Sequence, residues 1–115
     1  MATTIWHNPR CSKSRQTLAL LEERGISLAV RLYLDDAPST TEVAEVLQQL
    51  RIKPWELLRR GEKVFKELEL DKDAADEALI EAMGANPILI ERPIVIHGRE
   101  AALGRPPESV LRLFD

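Results

Sequence analysis

The one cysteine of the chain, Cys11, lies in the run His7-Asn8-Pro9-Arg10-Cys11-Ser12-Lys13-Ser14-Arg15. Three cations and two hydroxyls crowd a thiol just where a helical pattern begins at Ser12. The unpaired backbone N–H groups of a helix N-terminus and nearby Arg or Lys stabilise a thiolate over a thiol, taking a cysteine pKa from about 8.5 toward roughly 3.5–7.5. The same donors would hold an oxyanion beside the sulfur, so nucleophilic attack on a bound anion is the chemistry this spacing suggests. His7, four residues before Cys11, has two readings: a cation that stabilises the thiolate when protonated, or a cap that bonds to backbone. For Cys11 itself the other reading is a small buried hydrophobe, against which the polar, basic loop argues. Asn8 and Pro9 suit the turn, and His97, before Gly98, reads as structural.

Spacing narrows the cysteine chemistry. A redox Cys-x-x-Cys motif fails because position 14 is Ser, and a phosphatase-type Cys-x5-Arg fails because the sixth residue after Cys11 is Thr17. With a single cysteine there is no intrachain disulfide and no zinc site built from several thiolates. Two histidines at opposite ends of the chain make no obvious metal site either. Any redox cycle at Cys11 must therefore draw its second thiol from another molecule.

Several elements must position these residues. Thr3-Thr4-Ile5-Trp6 is β-prone and ends at His7-Asn8-Pro9, which puts the loop at a strand's carboxyl end. A helix with Leu18 and Leu21 on one side follows from Ser12 and stops at Arg24-Gly25. Leu28, Val30, Leu32 and Leu34 then alternate with Ala29, Arg31 and Tyr33, a period of two that predicts a second strand. Strand, helix, strand is a βαβ unit, so these strands should run parallel. Ser39-Thr40-Thr41-Glu42 has capping-box spacing before Val43, Val46, Leu47 and Leu50. Pro54 suits a first helical position, Val64, Phe65 and Leu68 mark a short helix, and Leu79, Ile80 and Met83 mark another closed by Gly84. Residues 39–84 thus read as a helical insert. Ile88-Leu89-Ile90 and Ile94-Val95-Ile96 read as two strands of an antiparallel meander, with Ala101-Ala102-Leu103 as an extra strand. Val110, Leu111 and Phe114 predict a last amphipathic helix.

Length and charge bound the rest. A chain of 115 residues, 44% hydrophobic and 30% charged, is expected to form one compact domain, 1–115. Sixteen basic against nineteen acidic residues give a net charge of −3, which speaks against a nonspecific nucleic-acid binder. No apolar run approaches the roughly 20 residues of a membrane span, and no signal core precedes Pro9. The expectation is a cytoplasmic protein with no membrane or nucleic-acid partner, acting as a monomer.

The pattern His-x-x-x-Cys-x-x-Ser-Arg, as His7, Cys11, Ser14 and Arg15, resembles that of the glutaredoxin-coupled arsenate reductases, which have a thioredoxin-like fold. So do Glu56-Leu57-Leu58-Arg59, the stretch from Asn86 to Val95, and Gly104-Arg105-Pro106-Pro107-Glu108. The resemblance implies an α/β, thioredoxin/glutaredoxin-like domain with a mixed sheet, βαβ then ββα, around the helical insert. It implies Cys11 as nucleophile, with His7 in the catalytic loop, and an oxyanion held by Arg59, Arg92 and Arg105 with Ser14 and Arg15. Arg60 adjoins Arg59 and is its alternative. Guanidinium groups suit that task because they are always charged and donate in a fork. The resemblance also implies a cis Arg92–Pro93 bond, where about 5–6% of X–Pro bonds would otherwise be cis.

By the same resemblance, arsenate is the substrate, no cofactor is bound, glutathione is the thiol co-substrate and glutaredoxin the partner that restores Cys11. Two other readings stand beside it: a thiol enzyme acting on another anion, and an Spx-like regulator or adaptor without enzymatic activity. The second lacks the usual Cys-x-x-Cys switch, since Ser14 replaces the second cysteine.

Overall fold

The computed structural model describes residues 2–115, which divide into two compact units, residues 2–36 with 92–115, and residues 37–91. The first unit holds a four-stranded sheet in the order β2-β1-β3-β4, with β1 Thr3–Trp6, β2 Ala29–Arg31, β3 Ile94–His97 and β4 Glu100–Leu103. β1 runs parallel to β2, with Ile5 opposite Val30, as a βαβ connection through α1 (Ser12–Glu23) requires. β3 pairs antiparallel with β1, Val95 opposite Ile5, and with β4, Val95 opposite Ala102. Ile5, Leu21, Val95, Ala102, Val110 and Leu113 form the core between sheet and helices. The sheet is mixed, βαβ then ββ, and the thioredoxin-like expectation holds.

Four local expectations are corrected. The second strand is only three residues long, because Leu32 O accepts the N–H groups of both Asp35 and Asp36 and turns the chain away. Of the alternating residues, Val30, Leu32 and Leu34 are exposed, and Tyr33 is fully buried. A period of two says which residues share a face, not which face is covered. Ile88–Ile90 is not a strand of the sheet. Pro87–Leu89 is a 3₁₀ turn, and Ile90 makes only an isolated bridge to Leu58, through Arg59 N–H to Leu89 O (2.7 Å) and Glu91 N–H to Leu57 O (2.9 Å). The last helix is 3₁₀ over Pro107–Phe114, in which Pro107, Val110 and Leu113 are buried at the three-residue spacing of that helix. Arg112 Nη2 pins it to Ala101 O at 3.0 Å.

The second unit is the helical insert, with α2 Thr40–Leu50, α3 Pro54–Leu57, α4 Lys63–Glu67 and α5 Asp76–Ala85. The capping box forms as read: Glu42 N–H donates to Ser39 Oγ (3.1 Å) and Ser39 N–H to Glu42 Oε1 (3.0 Å). Val43, Val46, Leu47 and Leu50 are all buried. Gly84, expected to end α5, instead lies inside it. A Cβ there would come within 3.0 Å of Thr40 Cγ2, so the glycine permits α5 to approach α2. The helix ends one residue later, where Asn86 Nδ2 donates to Ala82 O.

The Arg92–Pro93 bond is cis, as the resemblance implied, and so is Arg105–Pro106, which was not anticipated. Between them Gly104 N–H donates to Pro93 O at 2.9 Å, and a Cβ on Gly104 would collide with Thr17 Oγ1 and Pro93 Cγ. Gly104→Ala is therefore expected to destabilise the protein by about 1–3 kcal/mol through overpacking. Gly61→Ala, where a Cβ meets nothing within 4 Å, should stay within about 0.5 kcal/mol of the parent. Denaturant unfolding of the two variants side by side checks this, and equal midpoints would contradict it.

Candidate active site

Cys11 occupies the N-cap of α1 in extended conformation (φ −98°, ψ 123°), with its own N–H bound to Asn8 O. A serine or aspartate at an N-cap accepts from the free N–H groups of the first turn, and here the sulfur takes that place. The N–H groups of Ser14 and Lys13 face it, though neither makes a short, aligned hydrogen bond. Arg92 brings its guanidinium to the sulfur as both hydrogen-bond donor and charge. Arg105 Nη2 lies 3.7 Å from Sγ, while its Nε donates to Arg92 O at 2.8 Å. Two arginines distant in sequence from Cys11 thus meet at one half-buried thiol.

Burial is the largest single influence on the thiol and works against ionisation. The Ser14 N–H, the hydrogen bond and charge of Arg92, and the Lys13 N–H together outweigh it, so the Cys11 pKa falls below its ordinary value. A lowered pKa means that more of the sulfur is thiolate at neutral pH.

The loop before Cys11 is braced from within. Asn8 N–H donates to Ser14 Oγ at 3.0 Å, and the same oxygen lies 2.7 Å from His7 Nδ1. All three residues are buried. Burial, reinforced by the charge of Arg15, lowers the His7 pKa although Glu22 opposes the shift, which favours the neutral ring. His7 is thus joined to the thiol through Ser14, whose N–H faces the sulfur. Ser14 contributes that N–H, its hydroxyl being engaged inside the loop. Arg15 is exposed, and its Nη1 donates to Pro9 O at 2.8 Å, closing the loop from outside. Arg10 N–H donates to Asn8 Oδ1, an Asx turn that shapes the approach to Cys11.

Arg59, in the second unit, is gripped by two carboxylates: Nη1 lies 2.7 Å from Glu91 Oε1 and Nε 3.2 Å from Glu62 Oε2. Burial alone would lower its pKa, but Glu91 and then Glu62 raise it. Arg60, the neighbour that could have exchanged roles with it, stacks over the Trp55 ring at 4.8 Å. Sequence reading missed Lys13 as an N–H donor, Asn8 as the brace of Ser14, and Glu91 as the partner of Arg59. For Asn8 a signal existed, a polar residue at the end of a buried strand. The pairing of Arg59 with Glu91 had none, since it spans 32 residues.

The pH dependence follows from these contacts. Alkylation of Cys11 requires the thiolate, so its rate should rise with pH through a midpoint below that of an ordinary cysteine. Removing the guanidinium in Arg92→Ala leaves burial less opposed, and the midpoint should move up, with slower alkylation at neutral pH. Iodoacetamide kinetics across a pH series measure this, and an unchanged midpoint would show that Arg92 does not set the ionisation.

Comparison with known proteins places this geometry. The model of the ArsC family matches residues 6–113. The chain is 44% identical over 116 residues to an arsenate reductase of Haemophilus influenzae, covering 99% of this chain and all of that one. It is 48% identical to YfgD of Escherichia coli, an uncharacterised protein, over 95% of this chain and 93% of that one. The solved structure of an arsenate reductase from Vibrio cholerae superposes with a TM-score of 0.94 at 48% identity, covering 98% of each chain. On both sequence and structure, this chain belongs to the ArsC family.

Proposed function

We propose that the protein reduces arsenate to arsenite, using Cys11 as nucleophile and external thiols as reductant. The observation that carries this reading is the meeting of Arg92, Arg105 and the first-turn N–H groups of α1 at one thiol of lowered pKa. The names of its relatives from Haemophilus influenzae and Vibrio cholerae support arsenate as the anion.

Cys11 attacks arsenic, a sulfur–arsenic bond forms, and one oxygen leaves as water, giving a Cys11–arsenate(V) adduct. Arg92 and Arg105 hold the oxyanion and offset the charge of its oxygens during attack. A glutathione thiol then attacks the Cys11 sulfur. The sulfur–sulfur bond forms as the sulfur–arsenic bond breaks, its electron pair passes to arsenic, and arsenite leaves as As(III). A second thiol, from glutaredoxin, takes the glutathione from Cys11 and restores the thiolate. Two thiols become one disulfide and arsenic gains two electrons, so the cycle balances. The single cysteine makes the external thiols obligatory. Glutathione-rich cytoplasm, where thiols stay reduced, is the compartment that suits this cycle, and one chain carries the cysteine and the two arginines beside it.

His7 acts in this scheme as a positioning residue, holding Ser14 so that its N–H faces the sulfur. Arg59 is the third oxyanion arginine implied by the resemblance, and its charge is already largely answered by Glu91 and Glu62. Its contribution should be the smallest of the three.

The test is arsenate-dependent NADPH oxidation in the presence of glutathione, glutaredoxin and glutathione reductase. The native protein should turn over and Cys11→Ser should not. Arg92→Ala and Arg105→Ala should each lose at least about tenfold in kcat/KM, the scale of a lost charge-assisted contact of 1.5–3 kcal/mol. Arg59→Ala should lose less. Turnover of another oxyanion in preference to arsenate would transfer the same site to a different substrate and overturn this reading.

A further inference from the structure

The exposed side of the edge strand presents a feature that arsenate chemistry does not use. Val30 in β2 and Leu32 and Leu34 after it are 47%, 41% and 38% exposed, an apolar stripe that starts at the end of the strand and runs into the turn that follows. Scattered exposed apolar residues are ordinary, but here three of the four large exposed ones among the described residues fall within five positions at the end of an edge strand. Leu32 and Leu34 also form one wall of a groove of about 260 Å³, and Pro9 and Arg10 of the cysteine loop form the other. Arg10 is joined by its peptide bond to Cys11, so the groove leads from the stripe to the residue next to the nucleophile. The charge around it is uneven. Arg10, Lys13 and Arg15 follow one another along the loop and first turn; against these three cations the groove itself carries one carboxylate, Asp35, and the next, Asp36, is paired with Arg31 at 3.3 Å.

We infer that this stripe and groove are the docking surface for the protein that reduces Cys11: a thiol protein whose cysteine sits in an apolar patch rimmed by carboxylates. The inference rests on the proposed thiol cycle and adds to it where the reductant binds. The apolar stripe complements an apolar surround, the cationic loop complements an acidic rim, and Arg10, which lines the groove, directly precedes the cysteine the partner must serve. A small thiol needs none of this surface. A second copy of the chain does not fit the role, because its one cysteine is the same nucleophile and brings no reducing thiol.

Once docked, the partner's thiolate attacks the outer sulfur of the Cys11–glutathione disulfide. The partner–glutathione bond forms, the bond to Cys11 breaks, and Cys11 departs as the thiolate. A leaving thiol of low pKa leaves faster, so the contacts that lower the Cys11 pKa serve this step as well.

The experiment starts from Cys11 loaded with glutathione as the mixed disulfide, so arsenate takes no part. Its reduction is followed by mass spectrometry with glutaredoxin as the protein probe and dithiothreitol as a reductant that needs no docking surface. In the double variant Leu32→Ser/Leu34→Ser, the second-order rate with glutaredoxin should fall at least tenfold while the rate with dithiothreitol stays within twofold. Both side chains are exposed, and an unchanged thermal midpoint confirms the fold. Val30→Asp, which sets an anion on the same stripe against the partner's acidic rim, should also slow glutaredoxin alone. An unchanged glutaredoxin rate, or an equal fall with both reductants, overturns the docking surface. Failure of arsenate turnover in the coupled assay would instead strike the proposed substrate and leave this result standing.

Discussion

The candidate site depends on a contest at one sulfur atom. Burying Cys11 at the head of α1 penalises the thiolate, and that penalty is the largest single influence on it. The thiolate is favoured only because the Ser14 and Lys13 N–H groups and the Arg92 guanidinium converge on the same atom. Each arises from a different part of the fold: the N–H groups from the first turn of the helix, the guanidinium from the residue before a cis proline. The half-exposed position lets reactants in, while the burial makes each remaining electrostatic contact stronger than it would be in water.

Much of the supporting structure holds that geometry in place. Ser14 is buried and its hydroxyl is fixed by Asn8 and His7, so the N–H it turns to the sulfur has little freedom. Arg105 reaches the sulfur from one end of its guanidinium and ties Arg92 O from the other, coupling the two cations. Gly104 lets that segment lie against Thr17 of α1. Position, charge and packing are therefore set by a small group of residues from both ends of the chain.

What could be read in the sequence was what is local. The position of Cys11 at a helix start, the capping box of Ser39 and Glu42, and the parallel βαβ unit all follow from neighbours a few residues apart. Strand length and exposure are different: the alternation from Leu28 to Leu34 reads as one long strand, but β2 ends at Arg31 and, lying at the sheet edge, leaves Val30 open. Ile88–Ile90 reads as a strand by composition, yet Pro87 begins a 3₁₀ turn there. In the site, residue types pointed to Cys11 and its basic loop, and the resemblance to Arg92 and Arg105, both of which the structure brings to the thiol. The brace through Ser14 and the carboxylates on Arg59 depend on contacts that no spacing encodes.

The claim that sulfur and substrate share the same cations can be tested without turnover. Arsenate bound by Arg92 and Arg105 should shield Cys11, so increasing arsenate should slow its alkylation at fixed pH and ionic strength in a saturable way. The protection should disappear in Arg92→Ala, compared at a pH chosen to match its thiolate fraction to that of the native protein. Saturable protection lost with the arginine is the result this account requires. Alkylation indifferent to arsenate in the native protein, with Cys11 still ionising below the range of an ordinary thiol, would leave a reactive cysteine but contradict an arsenate site built on it.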